Sequence, residues 1–483
     1  MRKPTSLFSF LFLILPLLAS AQATSDLQRV VDKVCQDPSM RHASVSVCVR
    51  SVDDGHEVYA YDAQRSLAPA SLEKLFTTAL GFDRLGAAFR FTTTIGYTGE
   101  VGHNGTLDGD LYIIGGGDPM LGSYRYRQTQ PDSVFAAWHK ALADRGIRKV
   151  GGKVLYNVGV FDRQYLPDTW QWGDIGNYYA AGVSGLNFHE NMFFIYFSAG
   201  SRVGYPATIV GTLPHSLAVN LQSEVGTAGE KSGDQVVVYG EPNSSIRVCR
   251  GTVPLGSTKF GIRAAMPRPA ENCATLFATY LRRHGTEVAG SVDEAFATPK
   301  EMTVALRYGS NPYHVIAQYT NLTSNNTYAE CIYKYLGYER FGLGSFDNGQ
   351  RAVQEYFKSL GLETSGVQVV DGSGLSRENR ATADFICTFL QKVAHKDYFQ
   401  SYQRTLGVVG KSGTARSMSM ALPAGVVVHV KSGSMHGVCT YAGYVERNGA
   451  FRNAFSILCN GYDGGASQAR ARLQEVIREI AML

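Results

Sequence analysis

The two ends of this chain read as parts of one sheet. Residues 43–52 alternate as a strand does, Asp53-Asp54-Gly55 is a turn, and residues 57–61 return. At the far end, residues 425–430, 438–445 and 454–459 are β-rich, and Asn448-Gly449 is a hairpin turn between the last two. Each end also carries an amphipathic helix. Ser25 is an expected N-cap ahead of Leu27, Val30, Val31 and Val34, and the chain closes with Leu473, Val476, Ile477 and Ile480 opposite Arg470, Arg472 and Arg478. This pattern predicts an α+β architecture: an antiparallel sheet with the terminal helices on a face.

Between the ends, residues 96–299 differ in character. They are rich in glycine and in short β-like runs, such as 109–114, 153–160, 207–211 and 235–239. A chain of 483 residues has room for about three domains. The middle is therefore read as one or two inserted β-rich modules, without internal repeats or low-complexity linkers.

Residues 1–21 have the layout of a secretory leader: Arg2 and Lys3, an apolar run over 7–18, then Ala19-Ser20-Ala21. The run is short of the ~20 residues that a spanning helix needs. No cysteine lies beside the expected cleavage site to take a lipid. Export to the periplasm, without a stable membrane anchor, is expected. The formal charge of +5, from 46 Lys and Arg against 41 Asp and Glu, is too mild for a nucleic-acid partner. The eight cysteines include no Cys-x-x-Cys, which disfavours zinc ribbons and thioredoxin-like sites. Cys439 and Cys459 flank the last hairpin almost symmetrically. They are read as small buried hydrophobes rather than a pair, and the disulfide pattern stays open.

One Ser-x-x-Lys occurs, Ser71-Leu72-Glu73-Lys74, where Ala68-Pro69-Ala70 leads into a helical stretch running to about Leu85. Residues i and i+3 share a helix face, so the lysine amine can reach the serine hydroxyl. A desolvated lysine can act as the base that makes serine a nucleophile, and the N–H groups of a helix start can face a developing oxyanion. Alone the motif is weak, since a capping serine and a surface lysine would look the same. Two further elements are required, in order along the chain. Ser324-Asn325-Asn326 fits the second, with Ser324 relaying a proton and the Asn326 amide binding substrate. Tyr319-Thr320-Asn321 is a decoy. Lys-Ser-Gly follows at Lys231, Lys411 and Lys431. Lys231 is in the wrong order and Lys411 precedes a polar loop. Lys431-Ser432-Gly433 follows a strand-like run, with Lys431 and Ser432 expected to meet a substrate carboxylate and Ser434 N–H to complete the oxyanion hole.

Other chemistries fail on their spacing. Thr405 stands where a P-loop ending at Gly410-Lys411-Ser412 needs glycine, and Leu186 spoils Gly182-Val183-Ser184-Gly185 as a nucleophile elbow. Pro119 spoils Gly115-Gly116-Gly117-Asp118 as a dinucleotide turn; Asp118 is read as a structural turn acid. His189-Glu190 is an isolated pair, read as surface. No cofactor and no metal is called for.

With these residues assembled, the chain resembles the class C low-molecular-mass penicillin-binding proteins, the D-alanyl-D-alanine carboxypeptidase/endopeptidase family. The resemblance runs through 69–74 and 83–86, Gly109 to Pro119, Tyr179-Ala180-Ala181, Ser184 to Asn191, Ser324 to Glu330, Asp371-Gly372-Ser373-Gly374-Leu375-Ser376-Arg377 and Lys431-Ser432-Gly433. It departs at Ser432, where threonine is commoner. It implies a penicillin-recognising, β-lactamase-like domain over 22–95 and 300–483, with an all-helical part beside the sheet. It also implies an inserted domain over 96–199 and 263–299, and a second one over 200–262 nested within it. The implied activity is removal of the terminal D-Ala from peptidoglycan stem peptides ending in D-Ala-D-Ala, possible cross-link cleavage, and acylation by β-lactams at Ser71. Asp174 is a candidate for binding the free ammonium of a diaminopimelate side chain, with an exposed loop acid as the competing reading. Alternatives are a β-lactamase, which needs a water-activating base such as a glutamate near Ser71, and a wall-binding module without catalysis.

Overall fold

The computed structural model describes residues 8–215 and 217–483, with side chains from Gln22 onward. The leader region 1–21 lies outside the residues whose side chains are described. No described helix is long and apolar enough to cross a membrane. The helix Phe8–Gln36 passes straight through Ser25, so this serine does not cap a new helix; the residues upstream continue the same turn pattern.

Six antiparallel strands form the main sheet, in the order Gly407–Val408, Val426–Met435, Val438–Arg447, Ala450–Asn460, Ser44–Ser51 and Glu57–Tyr61. The N-terminal pair docks on the last C-terminal strand, joining the chain ends as the alternation requires. One face is covered by Leu27, Val31 and Val34 of the first helix and by Leu473, Val476, Ile477 and Ile480 of the last. The other face packs on a helical layer that includes Glu73–Arg84, Asn326–Phe341, Phe346–Ser359 and Ala383–Ala394. There Phe76 is wedged edge-on among Phe357, Phe385 and Phe389. Cys439 and Cys459 stand directly opposite each other on neighbouring strands, both buried and unbridged.

The inserted part has its own core around Trp138 and Phe277. Its five-stranded sheet has the order Val292–Glu294, Val154–Asn157, Leu111–Ile114, Thr92–Tyr97 and Thr303–Gly309. Thr92–Tyr97 and Thr303–Gly309 pair with each other as the strands that leave and re-enter the main domain. Thr92–Tyr97 spans the expected edge at 95/96, and Thr303–Gly309 lies beyond the one at 299/300. A further pair of three-stranded sheets spans Met192–Ser198 to Phe260–Ala265 around Phe193, Ile195 and Cys249.

His189-Glu190 is not a surface pair. Both residues are buried, and Glu190 receives Arg125 Nε and Nη2 at 2.6 and 2.9 Å, Ser123 Oγ at 2.6 Å and Tyr328 O–H at 3.1 Å. This ion pair joins the inserted part to the helix Asn326–Phe341. Asp118 accepts the Met120 N–H at 2.8 Å inside its turn, as a structural acid does, and burial pushes its carboxyl up to about 7.

Candidate active site

Ser71 sits in the short 3-10 turn Ala70–Leu72, and Lys74 lies in the first turn of the helix that follows. Ala70 is held at φ 49°, an unfavourable backbone for a residue with a Cβ, which is maintained by burial around it. The i, i+3 spacing aims Lys74 Nζ back at Ser71 Oγ, 3.0 Å away. Nζ also donates to Asn326 Oδ1 and to the Ser373 carbonyl, both at 2.6 Å. Lys74 is fully buried, and this loss of solvent lowers its amine to about 8 against the pull of Glu330, Asp371 and Glu73.

The second segment joins two helices. Ser324, at φ 56°, ends Tyr313–Thr323, and Asn325 caps Asn326–Phe341 by accepting the Tyr328 N–H at 3.0 Å. This left-handed corner brings the Asn326 amide to Lys74 Nζ and the Ser324 hydroxyl to Lys431 Nζ. The decoy Asn321 is buried, with its amide on the Thr78 and Thr405 hydroxyls, and serves packing.

The third segment is the strand Val426–Met435. Lys431 Nζ is fully buried and donates to Ser324 Oγ at 2.9 Å and to the Ser432 carbonyl at 2.6 Å. It is therefore turned to the serine of the second segment rather than into open space. Burial, and next the charge of Lys74, push its amine well below the ordinary lysine value. Ser432 Oγ faces outward and meets Thr414 Oγ1 at 2.7 Å. Lys411 and Lys231, the other two candidates, are exposed.

Gly433 fixes how close this strand comes to the nucleophile. A Cβ there would lie 2.9 Å from both Ser71 N and Pro69 O, and 2.3 Å from Thr440 Oγ1. Replacement by alanine is expected to push strand and turn apart, costing about 1–3 kcal/mol of stability together with most β-lactam acylation. Denaturant midpoints and acylation rates measured on Gly433→Ala would check both effects.

The three segments meet at a cleft of about 540 Å³ lined by Ser71, Ser324, Asn326, Ser432 and Ser434. Asp174 lines the same cleft from the inserted part and accepts the Tyr179 O–H at 3.0 Å. The Tyr179 carbonyl takes the Asn326 Nδ2–H at 2.7 Å, linking the two walls. Trp170 Nε1 donates to the buried Asp371 carboxylate at 2.9 Å and anchors this loop on the main domain. Thr414, Arg377, Leu375, Met435 and His436 also line the cleft and were not singled out from sequence. Arg377 and Leu375 do lie in the Asp371–Arg377 run. Thr414 follows the decoy Lys411-Ser412-Gly413, and the spacing of that loop carries no signal.

A serine hydroxyl against a buried lysine amine, between an antiparallel sheet and a helical layer, fits the class of penicillin-recognising serine enzymes, and the fold comparison agrees. Penicillin binding protein 4 (dacB) from Haemophilus influenzae matches with a TM-score of 0.78 at 22% identity, over 93% of this chain and 98% of that one. The same protein complexed with a β-lactam matches at 0.76 and 22% identity, over the same shares. The chain belongs to the D-Ala-D-Ala carboxypeptidase 3 (S13) family, whose pattern covers residues 27–480. A D-alanyl-D-alanine carboxypeptidase from Actinomadura sp. (strain R39) is 30% identical over 464 residues, 93% of this chain and 84% of that protein. By family this is a serine-type D-Ala-D-Ala carboxypeptidase.

Proposed function

We propose that the chain hydrolyses the terminal peptide bond of D-Ala-D-Ala stem peptides through an acyl-enzyme on Ser71. The observation that carries this reading is the 3.0 Å contact between the buried Lys74 amine and Ser71 Oγ, with Ser324 Oγ held by Lys431 on the other side. Lys74 takes the Ser71 proton as Oγ attacks the penultimate D-Ala carbonyl. The N–H groups of Ser71 and Ser434 face the oxyanion. The proton leaves through Ser324 to the departing amine, and Lys431 polarises that hydroxyl. Ser432, beside Thr414, binds the terminal carboxylate with Lys431 as the charge behind it, and Asn326 orients the peptide. Water then releases the shortened peptide.

Asp174 lines the cleft and accepts the Tyr179 O–H. Its place at the mouth fits recognition of a side-chain ammonium on the stem peptide. Asp174→Asn is expected to raise KM about tenfold for a diaminopimelate-type peptide, with kcat nearly unchanged. An acetyl-capped analogue should show no such change, and steady-state kinetics on the two peptides would check it.

Such substrates lie in the periplasm, where a leader over 1–21 would deliver the chain. The test is incubation with defined muropeptides. Free D-Ala from monomers supports the carboxypeptidase step, and cleaved dimers would add an endopeptidase step. If neither free D-Ala nor cleaved dimers form, the reading is overturned.

A further inference from the structure

Beside Lys74, four buried polar atoms have no hydrogen-bonding partner: both carboxyl oxygens of Glu73, Glu330 Oε1 and the Tyr333 hydroxyl. They converge from the helices Glu73–Arg84 and Asn326–Phe341, and the loop at Asp371–Ser376 covers them. Gly372 N donates to Glu330 Oε2 at 2.8 Å, and Thr77 Oγ1 donates to the Gly372 carbonyl at 2.8 Å. Gly374 lies so close that a Cβ there would meet Ala70 O at 1.9 Å and Glu73 Cβ at 3.0 Å. Glu73 and Glu330 are 0% and 1% exposed, so solvent does not satisfy their oxygens.

Three carboxyl groups thus share a buried space, and their hydrogen bonds differ. Asp371 accepts four donors: Gly374 N at 2.7 Å, Ser376 N at 2.6 Å, Asn379 Nδ2 at 2.8 Å and Trp170 Nε1 at 2.9 Å. Its two oxygens are satisfied by these donors. Glu330 accepts one backbone N–H, and Glu73 accepts none. Adjacent buried carboxylates cannot all ionise, and the one with the fewest donors takes the proton.

We propose that Glu73 and Glu330 form a pair of unlike charge, Glu73 as the neutral acid and Glu330 as the carboxylate, and that Glu330 is a positioning residue steadying the ammonium that Lys74 becomes. This rests on the acyl-enzyme reading above. In the step concerned, the Ser71 O–H bond breaks, an N–H bond forms on Lys74, and the freed oxygen pair attacks the carbonyl carbon. The proton on Glu73 stays where it is. Without a fixed anion nearby, a lysine this deeply buried would be too weak a base to take a serine proton.

The groups facing Lys74 are Glu73 on its own helix, Glu330 from the second helix, Asp371 from the covering loop and Lys431 from the strand Val426–Met435. Burial pushes the Glu73 carboxyl well above its ordinary range, and the charges of Asp371 and Glu330 add to this. Glu330 is also pushed up, to about 8, by burial and by the charge of Asp371, while Ser373, the Gly372 N–H and Lys74 oppose the rise. Both carboxyl groups are pushed up, and only Glu330 has hydrogen-bond donors that oppose the rise.

The experiment follows the second-order rate of penicillin acylation against pH in the wild type, Glu330→Gln, Glu330→Asp and Glu73→Gln. Loss of the Glu330 charge makes the Lys74 ammonium easier to deprotonate. The acid limb in Glu330→Gln should therefore move down by about one pH unit, with the plateau about tenfold lower. Glu330→Asp should restore most of both, and Glu73→Gln should leave the limb within about 0.3 unit. A Glu73→Gln limb that moves as far, or a Glu330→Gln limb that stays in place, overturns the pair. A wild type that takes no adduct instead contradicts the acyl-enzyme reading itself. If Glu330→Gln does not fold, infrared spectra decide. A protonated-carboxyl band in the wild type at about pH 8, lost in Glu73→Gln, supports the pair, and its absence overturns it.

Discussion

Ser71→Ala is expected to release D-Ala at less than about 10⁻⁴ of the wild-type rate and to take no β-lactam adduct. The change removes one oxygen from a turn that is otherwise held by backbone, so the melting temperature should stay within about 2 °C of the wild type. Lys74→Met should come close to the same loss, because serine, lysine and the Asn326 amide act as one unit and their effects do not add. D-Ala assay and intact mass, run beside a melting curve, check both variants. A Ser71→Ala chain that still labels would mean that another residue is the nucleophile.

The largest stability effect is expected at Asp371. Its carboxylate is fully buried and accepts two backbone N–H groups, the Asn379 amide and the Trp170 indole. Asp371→Ala strands four donors in a buried interior, and the expected cost is about 3–5 kcal/mol. The carbonyl of Ser373, which receives Lys74, lies in the same loop, so acylation should fall with it. Trp170→Phe removes a single donor and should cost about 1 kcal/mol. Urea midpoints compared across the two variants test the ordering. Equal midpoints would show that the loop is held by something other than this carboxylate.

Much of the site was legible because its parts are local. Ser71 and Lys74 share a face by spacing alone, and Ser324 with Asn326 stands at a helix start that the following apolar pattern marks. Lys431 could be told from Lys411 and Lys231 by chain order and by the strand before it. The direction of the Lys431 side chain could not be read. A strand's register against its neighbours decides which face each residue takes, and that register depends on 438–445, 454–459 and the N-terminal strands together. The same holds for Glu73. In the linear pattern it looks like a polar residue in a first helical turn, and only the packing of the Asp371–Ser376 loop over it makes it a buried acid. Thr414 and Arg377 reach the cleft from loops whose positions follow from tertiary contacts. The burial of His189 and Glu190 depends on Arg125 and Tyr328, far away in the chain.

Peptide mapping of the chain after brief exposure to penicillin tests most directly whether the converging amine and hydroxyls activate one serine. A single adduct on the peptide that contains Ser71, persisting through the digest, is the predicted result. An unmodified chain, or an adduct on any other residue, would contradict the account.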